Sequence, residues 1–298
     1  MFYRLNMQWQ KIALIGVGLL GGSLGLAIKQ RRLASSVLGY VRRPASVTEC
    51  EMLGVVDRAS MEMKEVAGGA DLVVLCTPLG QMKEIAESMA GVLKPNALVT
   101  DVGSVKGPVV QELEPIFAQF GAEYVGSHPM AGAEKTGAAA ARADLFVKAV
   151  CAVTPTANST PEAVASIEDF WRAVGAVPLR INPDLHDDFV SRSSHLPHVI
   201  AAELSNYVLS PVHPKEQAML CANGFRDSTR IASGSPEMWR DISIANHRNL
   251  ARVLGVFIED LQEFRLALEK DDRKAIEEFF TQAKQRRDQW YGSNNSPE

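Results

Sequence analysis

The chain has 298 residues, of which 46% are hydrophobic and 22% are charged, and its formal net charge at pH 7 is −4. This composition is typical of a globular protein large enough for two domains. Its 31 Lys and Arg residues form no long basic run, so we expect neither a nucleic-acid partner nor an anionic membrane surface. Any anion that the protein binds must be met by a local site.

Cysteine usage and the absence of long apolar segments indicate the compartment. Cys50, Cys76, Cys151 and Cys221 lie far apart, without the CxxC spacing of a metal or redox site. The N-terminal segment lacks the apolar core of a signal peptide, and nowhere do 18 apolar residues run together. We therefore expect reduced cysteines in a cytoplasmic protein without a membrane segment.

The order of apolar runs predicts an α/β fold. Seven strand candidates, separated by amphipathic stretches, are KIALIGVG, VLGYV, DLVVLCTP, ALVTDVG, AEYVG, AVCAVTP and AVPLRI. Such alternation predicts a Rossmann-like, doubly wound and mostly parallel sheet. From Pro183 the strand signal ends, and apolar residues at helical spacing from Trp239 to Leu268 predict one long helix. We place a dinucleotide-binding domain at 1–182 and an all-helical domain, for substrate binding and dimerisation, at 183–298.

The first loop carries a dinucleotide motif. Gly16, Gly18 and Gly21 form GxGxxG after a hydrophobic strand, and Leu19 and Leu20 stand between the glycines where a helix begins. In this context the glycines allow a tight turn, close approach of a pyrophosphate and close helix packing. We expect these five residues to contact the cofactor.

The end of the second predicted strand favours NADP. An acidic residue there would bind the adenosine ribose of NAD, but this chain reads GYVRRP, with Arg42 and Arg43. An arginine can pair with a 2′-phosphate through two charge-assisted hydrogen bonds. The alternative is that both arginines are solvated surface residues, which leaves NAD open.

Loops after further strand candidates should meet at the same edge of the sheet. Thr77 and Pro78, in LCTPLGQ, are expected to border the dinucleotide, and Ser104, in TDVGSVKG, could reach His128. His128 itself stands in GSHPMAGAEKTG, which reads as a turn-rich segment after the AEYVG strand. A hydroxyl bonded to one imidazole nitrogen would fix the tautomer and leave the other nitrogen for substrate.

These motifs, taken together, resemble one family. GVGLLGGSLG, LCTP, TDVGSVKG, GSHPMAGAEKTG, DLHDDFVSRSSHLPH, GFRDSTRIA and PEMWRDI are similar, in this order, to the prephenate/arogenate dehydrogenases of tyrosine biosynthesis, over residues 11–270. The resemblance implies oxidative decarboxylation of prephenate, or of its amino analogue arogenate, with hydride transfer to NAD or NADP. The products would be 4-hydroxyphenylpyruvate or tyrosine.

The resemblance also implies catalytic residues. His128 would accept the proton of the substrate ring hydroxyl as general base, a task for which an imidazole has a suitable pKa. Ser104 would orient His128 and lie against the cofactor. A loop histidine that only caps a turn is the alternative.

Further residues are assigned to the substrate by the same resemblance. Arg230 would bind a carboxylate through its guanidinium fork, His198 would reach the ring carboxylate, and His195 would support it. Trp239 would line the pocket wall or belong to the core. The His195 and His198 spacing, with His186, Asp187 and Asp188 nearby, would also suit a metal, but no Cys or HExxH accompanies it, and we expect no metal.

Substrate choice stays open. By resemblance Glu134 would gate the pocket in a network with Arg226 and Asp227, which leans toward prephenate. The Arg42 and Arg43 pair leans toward arogenate, because NADP use accompanies arogenate use among the relatives. A dual-specificity cyclohexadienyl dehydrogenase is therefore an alternative.

The sequence disfavours two other classes of dinucleotide-binding protein. A 3-hydroxyacid dehydrogenase would carry a catalytic lysine where this chain has SHLPH, and a dinucleotide sensor would not need His128, Ser104, His198 and Arg230 together. The apolar stripe of the C-terminal helix predicts a homodimer. The chain ends soon after this helix, so we expect no appended regulatory or mutase domain.

Overall fold

The computed structural model describes residues 9–133 and 135–294. Within these ranges the strands are β1 (Trp9–Ile15), β2 (Ala34–Tyr40), β3 (Arg58–Ser60), β4 (Leu72–Leu75), β5 (Leu98–Asp101), β6 (Glu123–Tyr124), β7 (Gly126–Pro129), β8 (Val150–Thr154) and β9 (Val177–Arg180). The α-helices are α1 (Leu19–Arg31), α2 (Pro44–Met52), α3 (Met63–Ala67), α4 (Leu79–Ala90), α5 (Gly107–Ala118), α6 (Pro161–Ala173), α7 (Pro183–Val190), α8 (Leu196–Val208), α9 (Lys215–Met219), α10 (Asn223–Thr229), α11 (Pro236–Ala245), α12 (His247–Glu269) and α13 (Arg273–Asn294). A π-helical turn, Ser191–His195, connects α7 to α8, and 3₁₀ turns lie at Ala138–Ala140 and Arg230–Ser233.

The first six strands form one parallel sheet in the order β3-β2-β1-β4-β5-β6. The chain winds outward from β1 in one direction and then, from β4, in the other. In such sheets the strand order reverses between the two central strands, and ligands bind at their carboxyl ends. The predicted doubly wound, mostly parallel sheet is confirmed.

Alternate residues of the central strands pack on opposite faces of this sheet. Ile12 and Leu14 join the core that contains α1 and α6, whereas Ala13 and Ile15 join the core that contains α3, α4 and α5. Because both faces are covered, the paired segments 12–15 of β1 and Leu72–Leu75 of β4 are apolar throughout, as buried parallel strands are.

The last three strands form a second sheet, β7-β8-β9, in which β7 and β8 are antiparallel and β8 and β9 are parallel. His128 pairs with Ala152 in this sheet, so the interpretation of residues 126–129 as part of a turn was wrong. Pairing with β8 overrides the local turn preference of GSHP. β3 and β7 are the two strands that the sequence did not predict.

The described residues that follow β9 contain helices and loops without strands, as predicted. The expected long helix between Trp239 and Leu268 is instead two helices, α11 and α12, which are separated at Asn246. Asn246 leaves helical geometry (φ −109°, ψ 26°), and its buried side chain donates a 2.8 Å hydrogen bond to the Asp187 carbonyl oxygen.

Backbone contacts divide the described chain into two compact units, one up to His247 and one from Arg248 onward. The predicted domain boundary near residue 182 stays a prediction. Among the described residues, no helix is sufficiently long and apolar to span a bilayer.

Gly25 tests the close packing of α1 in the first unit. We expect Gly25→Ala to lower the free energy of unfolding by about 1–3 kcal/mol, because the new Cβ would lie 1.8 Å from the Val55 carbonyl oxygen. Gly224→Ala is the control, since a Cβ there meets no atom within 4 Å. Urea unfolding followed by circular dichroism measures both, and an unchanged Gly25→Ala variant would contradict the packing described.

Candidate active site

The turn between β1 and α1 has the geometry that a dinucleotide requires. Gly16 has a φ of +96°, which favours glycine, and a Cβ on Gly21 would lie 2.1 Å from the Gly16 carbonyl oxygen. Gly18 caps α1 without a side-chain hydrogen bond, and a Cβ there meets nothing within 4 Å. Leu19 and Leu20 are half-buried against the core. The helix start is therefore open to a phosphate group.

Two neighbouring strand ends border this turn. The Gly16 amide donates to the Tyr40 carbonyl oxygen at the end of β2, and Arg42 and Arg43 follow as exposed side chains. After β4, the methyl group of Thr77 lies beside Gly16, and Pro78 is exposed. The buried Oγ1 of Thr77 has no hydrogen-bond partner among the described residues, and a cofactor hydroxyl or amide could supply one. The residues present thus fit a dinucleotide.

A buried ion pair fixes the loop between β5 and α5. Lys106 and Asp101 are fully buried and hydrogen-bonded to each other, and the Lys106 ammonium also donates to the Ser127 carbonyl oxygen at 2.8 Å. The Tyr124 hydroxyl and the Ser127 amide donate to the second Asp101 oxygen at 3.0 and 2.9 Å. This network attaches the loop to β7. Sequence reasoning missed it, although an aspartate at a strand end followed five residues later by a lysine was a usable signal.

His128 is buried on β7, with 7% of its surface exposed. Its Nδ1 lies 2.9 Å from Nε2 of His186, and the two rings meet edge to face. Burial, reinforced by the nearby His186 and Lys106, lowers the pKa of His128 well below its ordinary value. The imidazole is therefore neutral at pH 7 and able to accept a proton.

His186 is itself held by the next residue of α7. Its Nδ1 lies 2.8 Å from Asp187 Oδ1, and the Asp187 carboxylate accepts backbone hydrogen bonds from Lys106 at 2.7 Å and Gly107 at 2.8 Å. His186 and Asp187 were considered only as metal ligands from the sequence. The adjacent HD pair in DLHDDF was the available signal for their hydrogen-bonding role.

Nδ1 of His128 has a partner other than Ser104 in this structure. Among the described residues, the hydrogen bond recorded for Nδ1 of His128 goes to His186 and none to Ser104. The Ser104 backbone lies near His195 instead, close enough to affect the pKa of that imidazole. At Nδ1 of His128 the partner is an imidazole, because α7 packs against α5 and brings His186 to that nitrogen. The role of Ser104 beside His128 and the cofactor stays a prediction.

His195 joins the same cluster through the π-helical turn. It follows His186 by nine residues, which in an ideal α-helix would place it about half a turn away around the axis. The extra residue per π turn changes this phase. The buried Nδ1 of His195 lies 3.2 Å from the Asn246 side chain, and burial lowers the pKa of His195 to about 4. Its Nε2 has no hydrogen-bond partner among the described residues.

His198, Trp239 and Arg230 lie together. The His198 ring stacks on Trp239 with 3.7 Å between ring centroids, and its Nδ1 faces the Ser194 carbonyl oxygen at 2.9 Å. Burial lowers the pKa of His198, and the charge of Arg230 adds to this effect. The structure thus brings together three of the residues assigned to substrate binding.

Two remaining expectations concern Glu134 and metals. Glu134 lies outside the described residues. Over the ranges that are described, no group of three His, Cys, Asp or Glu side chains has a geometry suited to a metal ion.

Comparison with known proteins places both parts of the chain in one family. Residues 24–179 match the family described as prephenate dehydrogenase, nucleotide-binding domain, and residues 182–282 match the prephenate dehydrogenase dimerization domain. A cyclohexadienyl dehydrogenase from Zymomonas mobilis is 33% identical over 94% of this chain and 95% of its own length. A prephenate dehydrogenase from Bacillus subtilis is 32% identical over 95% of this chain and 77% of its own.

A solved structure agrees with these matches. The prephenate dehydrogenase from Aquifex aeolicus in complex with hydroxyphenyl propionate and NAD+ superposes with a TM-score of 0.88, at 30% identity, over 94% of this chain and 98% of that one. On its motifs, its fold and these matches, the chain belongs to the prephenate dehydrogenase family.

Proposed function

We propose that this protein oxidatively decarboxylates prephenate to 4-hydroxyphenylpyruvate, with a nicotinamide dinucleotide as hydride acceptor. Family membership and the names of the two relatives support this reaction. The observation that carries the proposal is the neutral, buried His128 in the same compact unit as Arg230 and His198. The unit thus holds a base, a cationic guanidinium and an imidazole that can hydrogen-bond to a dianionic substrate.

His128 handles the proton of the reaction. Its Nε2 takes the proton of the ring hydroxyl while the carbon that bears this hydroxyl becomes carbonyl-like. A bound nicotinamide dinucleotide would supply the acceptor for the hydride of that carbon. The bond from the ring to its carboxylate then breaks, its electron pair enters the ring, and carbon dioxide leaves. His128 returns its proton to the oxygen of the aromatic product.

Arg230, His198 and Trp239 bind and orient the substrate. A guanidinium such as that of Arg230 can pair with one carboxylate through two parallel hydrogen bonds, which a lysine cannot do. The stacked Trp239 restricts the plane of the His198 ring, which would hold its Nε2 in place for the second carboxylate of the substrate. The buried His195 supports this arrangement through the edge-to-face contact of its ring with Trp239.

Arogenate is a second candidate substrate, because one relative is named cyclohexadienyl dehydrogenase. Prephenate and arogenate differ in a keto against an ammonium group, and one or two polar groups suffice to discriminate them. A dual-specificity enzyme is the alternative to a prephenate-specific one.

We further propose that NADP is the preferred cofactor. Arg42 and Arg43 are exposed directly after β2, beside the strand end that bonds to Gly16. The second strand of this fold meets the adenosine ribose, so either guanidinium could bind a 2′-phosphate. The Aquifex aeolicus relative was solved with NAD+, which keeps NAD as the alternative.

We also propose a cytoplasmic homodimer with the functional boundary near residue 182. The four cysteines are free thiols, which is typical of a reducing compartment. The second family match is described as a dimerization domain. Large apolar side chains of the second unit are exposed, among them Val256, Leu261, Phe280 and Trp290, and a second copy would bury them.

Replacing His128 tests the proposed base. We expect His128→Asn to reduce kcat about 10²- to 10⁴-fold and to leave the dinucleotide dissociation constant unchanged. Because the pKa of His128 is lowered, the wild-type kcat/KM should stay constant down to about pH 6.5 and fall only below it. Steady-state rates between pH 5 and 8 measure both effects, and the variant should lack the acid limb.

The control for this variant is His213→Asn, which removes a histidine that contacts Tyr207 away from the site. Its rates should stay within about twofold of wild type. Near-normal turnover of His128→Asn would contradict the assignment of His128 as the general base.

Removing both arginines after β2 tests the cofactor. The double variant Arg42→Ala/Arg43→Ala should raise the KM for NADP about tenfold, equivalent to about 1.4 kcal/mol, and leave the KM for NAD unchanged. Initial rates at saturating prephenate measure this. Arg58→Ala removes an exposed arginine from the amino end of β3 and should change neither KM. Equal effects of the double variant on both cofactors would contradict the 2′-phosphate contact.

A further inference from the structure

His128 is the first member of a buried chain of three side chains. Its Nδ1 lies 2.9 Å from His186 Nε2, and His186 Nδ1 lies 2.8 Å from Asp187 Oδ1. The three residues are 7%, 2% and 3% exposed. Bulk water therefore does not compete for these hydrogen bonds, and the order of donors and acceptors along the chain is set by its members.

Asp187 is the fixed end of this chain. Its two oxygens accept the Lys106 and Gly107 amides at the start of α5, where the helix dipole favours a negative charge. The fit is tight, since a Cβ on Gly107 would lie 3.0 Å from Asp187 Oδ2. The carboxylate is thus held in place by backbone groups that cannot rotate away.

The chemistry of the members then assigns the protons. A carboxylate only accepts, so Nδ1 of His186 carries a proton and donates it to Asp187. In a neutral His186 the other nitrogen, Nε2, is an acceptor, and Nδ1 of His128 must donate to it. In a neutral His128 this leaves Nε2 without a proton.

We infer that His186 and Asp187 are positioning residues that hold His128 in the tautomer whose bare Nε2 faces the reacting hydroxyl. The inference rests on the proposed general-base role of His128. It replaces the hydroxyl of Ser104 with an imidazole and a carboxylate, neither of which was assigned a catalytic part from the sequence.

The arrangement also prepares for the charge that catalysis creates. When His128 accepts a proton, it becomes a cation beside the buried Lys106 ammonium. Lys106 is already paired with Asp101, whereas Asp187 stands at the far end of the histidine pair. The Asp187 carboxylate, which is hydrogen-bonded to His186, is the anion that can stabilise the new imidazolium through that histidine.

The tautomer can be measured without any turnover. The protein, labelled with ¹⁵N at its six histidines, is studied by long-range proton–nitrogen correlation at pH 7.5, and His128→Asn and His186→Asn assign the signals. We expect the proton on Nδ1 of both His128 and His186. A proton on Nε2 of His128, as a doubly protonated His186 would require, overturns the inference even if the enzyme is fully active.

The kinetic test uses adjacent carboxylates as a matched pair. Asp187→Asn should lower kcat about 10²-fold and leave the KM for prephenate and for the dinucleotide within about twofold, because Nε2 of His128 then becomes protonated in part of the molecules. Asp188→Asn, whose carboxylate pairs with Arg192, should keep wild-type rates.

A folded Asp187→Asn variant with wild-type kcat and an unchanged His128 signal would overturn the positioning role. If Asp187→Asn does not fold, the wild-type tautomer decides alone. If the protein shows the predicted tautomer but oxidises no substrate, the positioning role of His186 and Asp187 is kept and the proposed function is rejected. The two failures are therefore distinguishable.

Discussion

The Asp187 carboxylate binds the start of α5 through two backbone amides and reaches His128 through His186. The rest of the site depends on this contact, because α5 follows the β5 loop of the parallel sheet and α7 opens the helical region. One buried anion therefore fixes the cofactor side of the site against the side that carries the substrate residues. It also orients the only imidazole on β7.

The buried charges of Lys106 and Asp101 are paired with each other in this region. Asp101 also accepts from the Tyr124 hydroxyl and the Ser127 amide, and the Lys106 ammonium lies close enough to His128 to affect its pKa. Burial and the positive charge of Lys106 lower the pKa of His128, so this histidine stays neutral and can act as a base. The desolvation of a buried ion pair opposes its contribution to stability. Here the pair positions β7 through Ser127 and keeps His128 neutral.

The sequence predicted those parts of the protein that depend on local chemistry. The parallel sheet and the GxGxxG turn follow from patterns in which neighbouring residues act together, whereas the roles of His198, Arg230 and Trp239 came from the resemblance of three separate motifs to one family. Contacts between segments that lie far apart in the sequence could not be predicted in this way. His186 meets His128 across 58 positions, and the pairing of β7 with β8 overrides a segment that looks like a turn. The break at Asn246 likewise depends on a partner, Asp187, from another helix.

In the proposed reaction, the bound dinucleotide is reduced as prephenate loses its ring carboxylate. The most direct measurement is the initial rate of nicotinamide reduction by the unmodified protein, with prephenate or arogenate and with NAD or NADP, at one protein concentration. We predict reduction with prephenate, fastest with NADP, and a tenfold preference would correspond to about 1.4 kcal/mol of transition-state discrimination. Silence in all four pairings from a folded protein that binds the dinucleotide would contradict the proposed reaction.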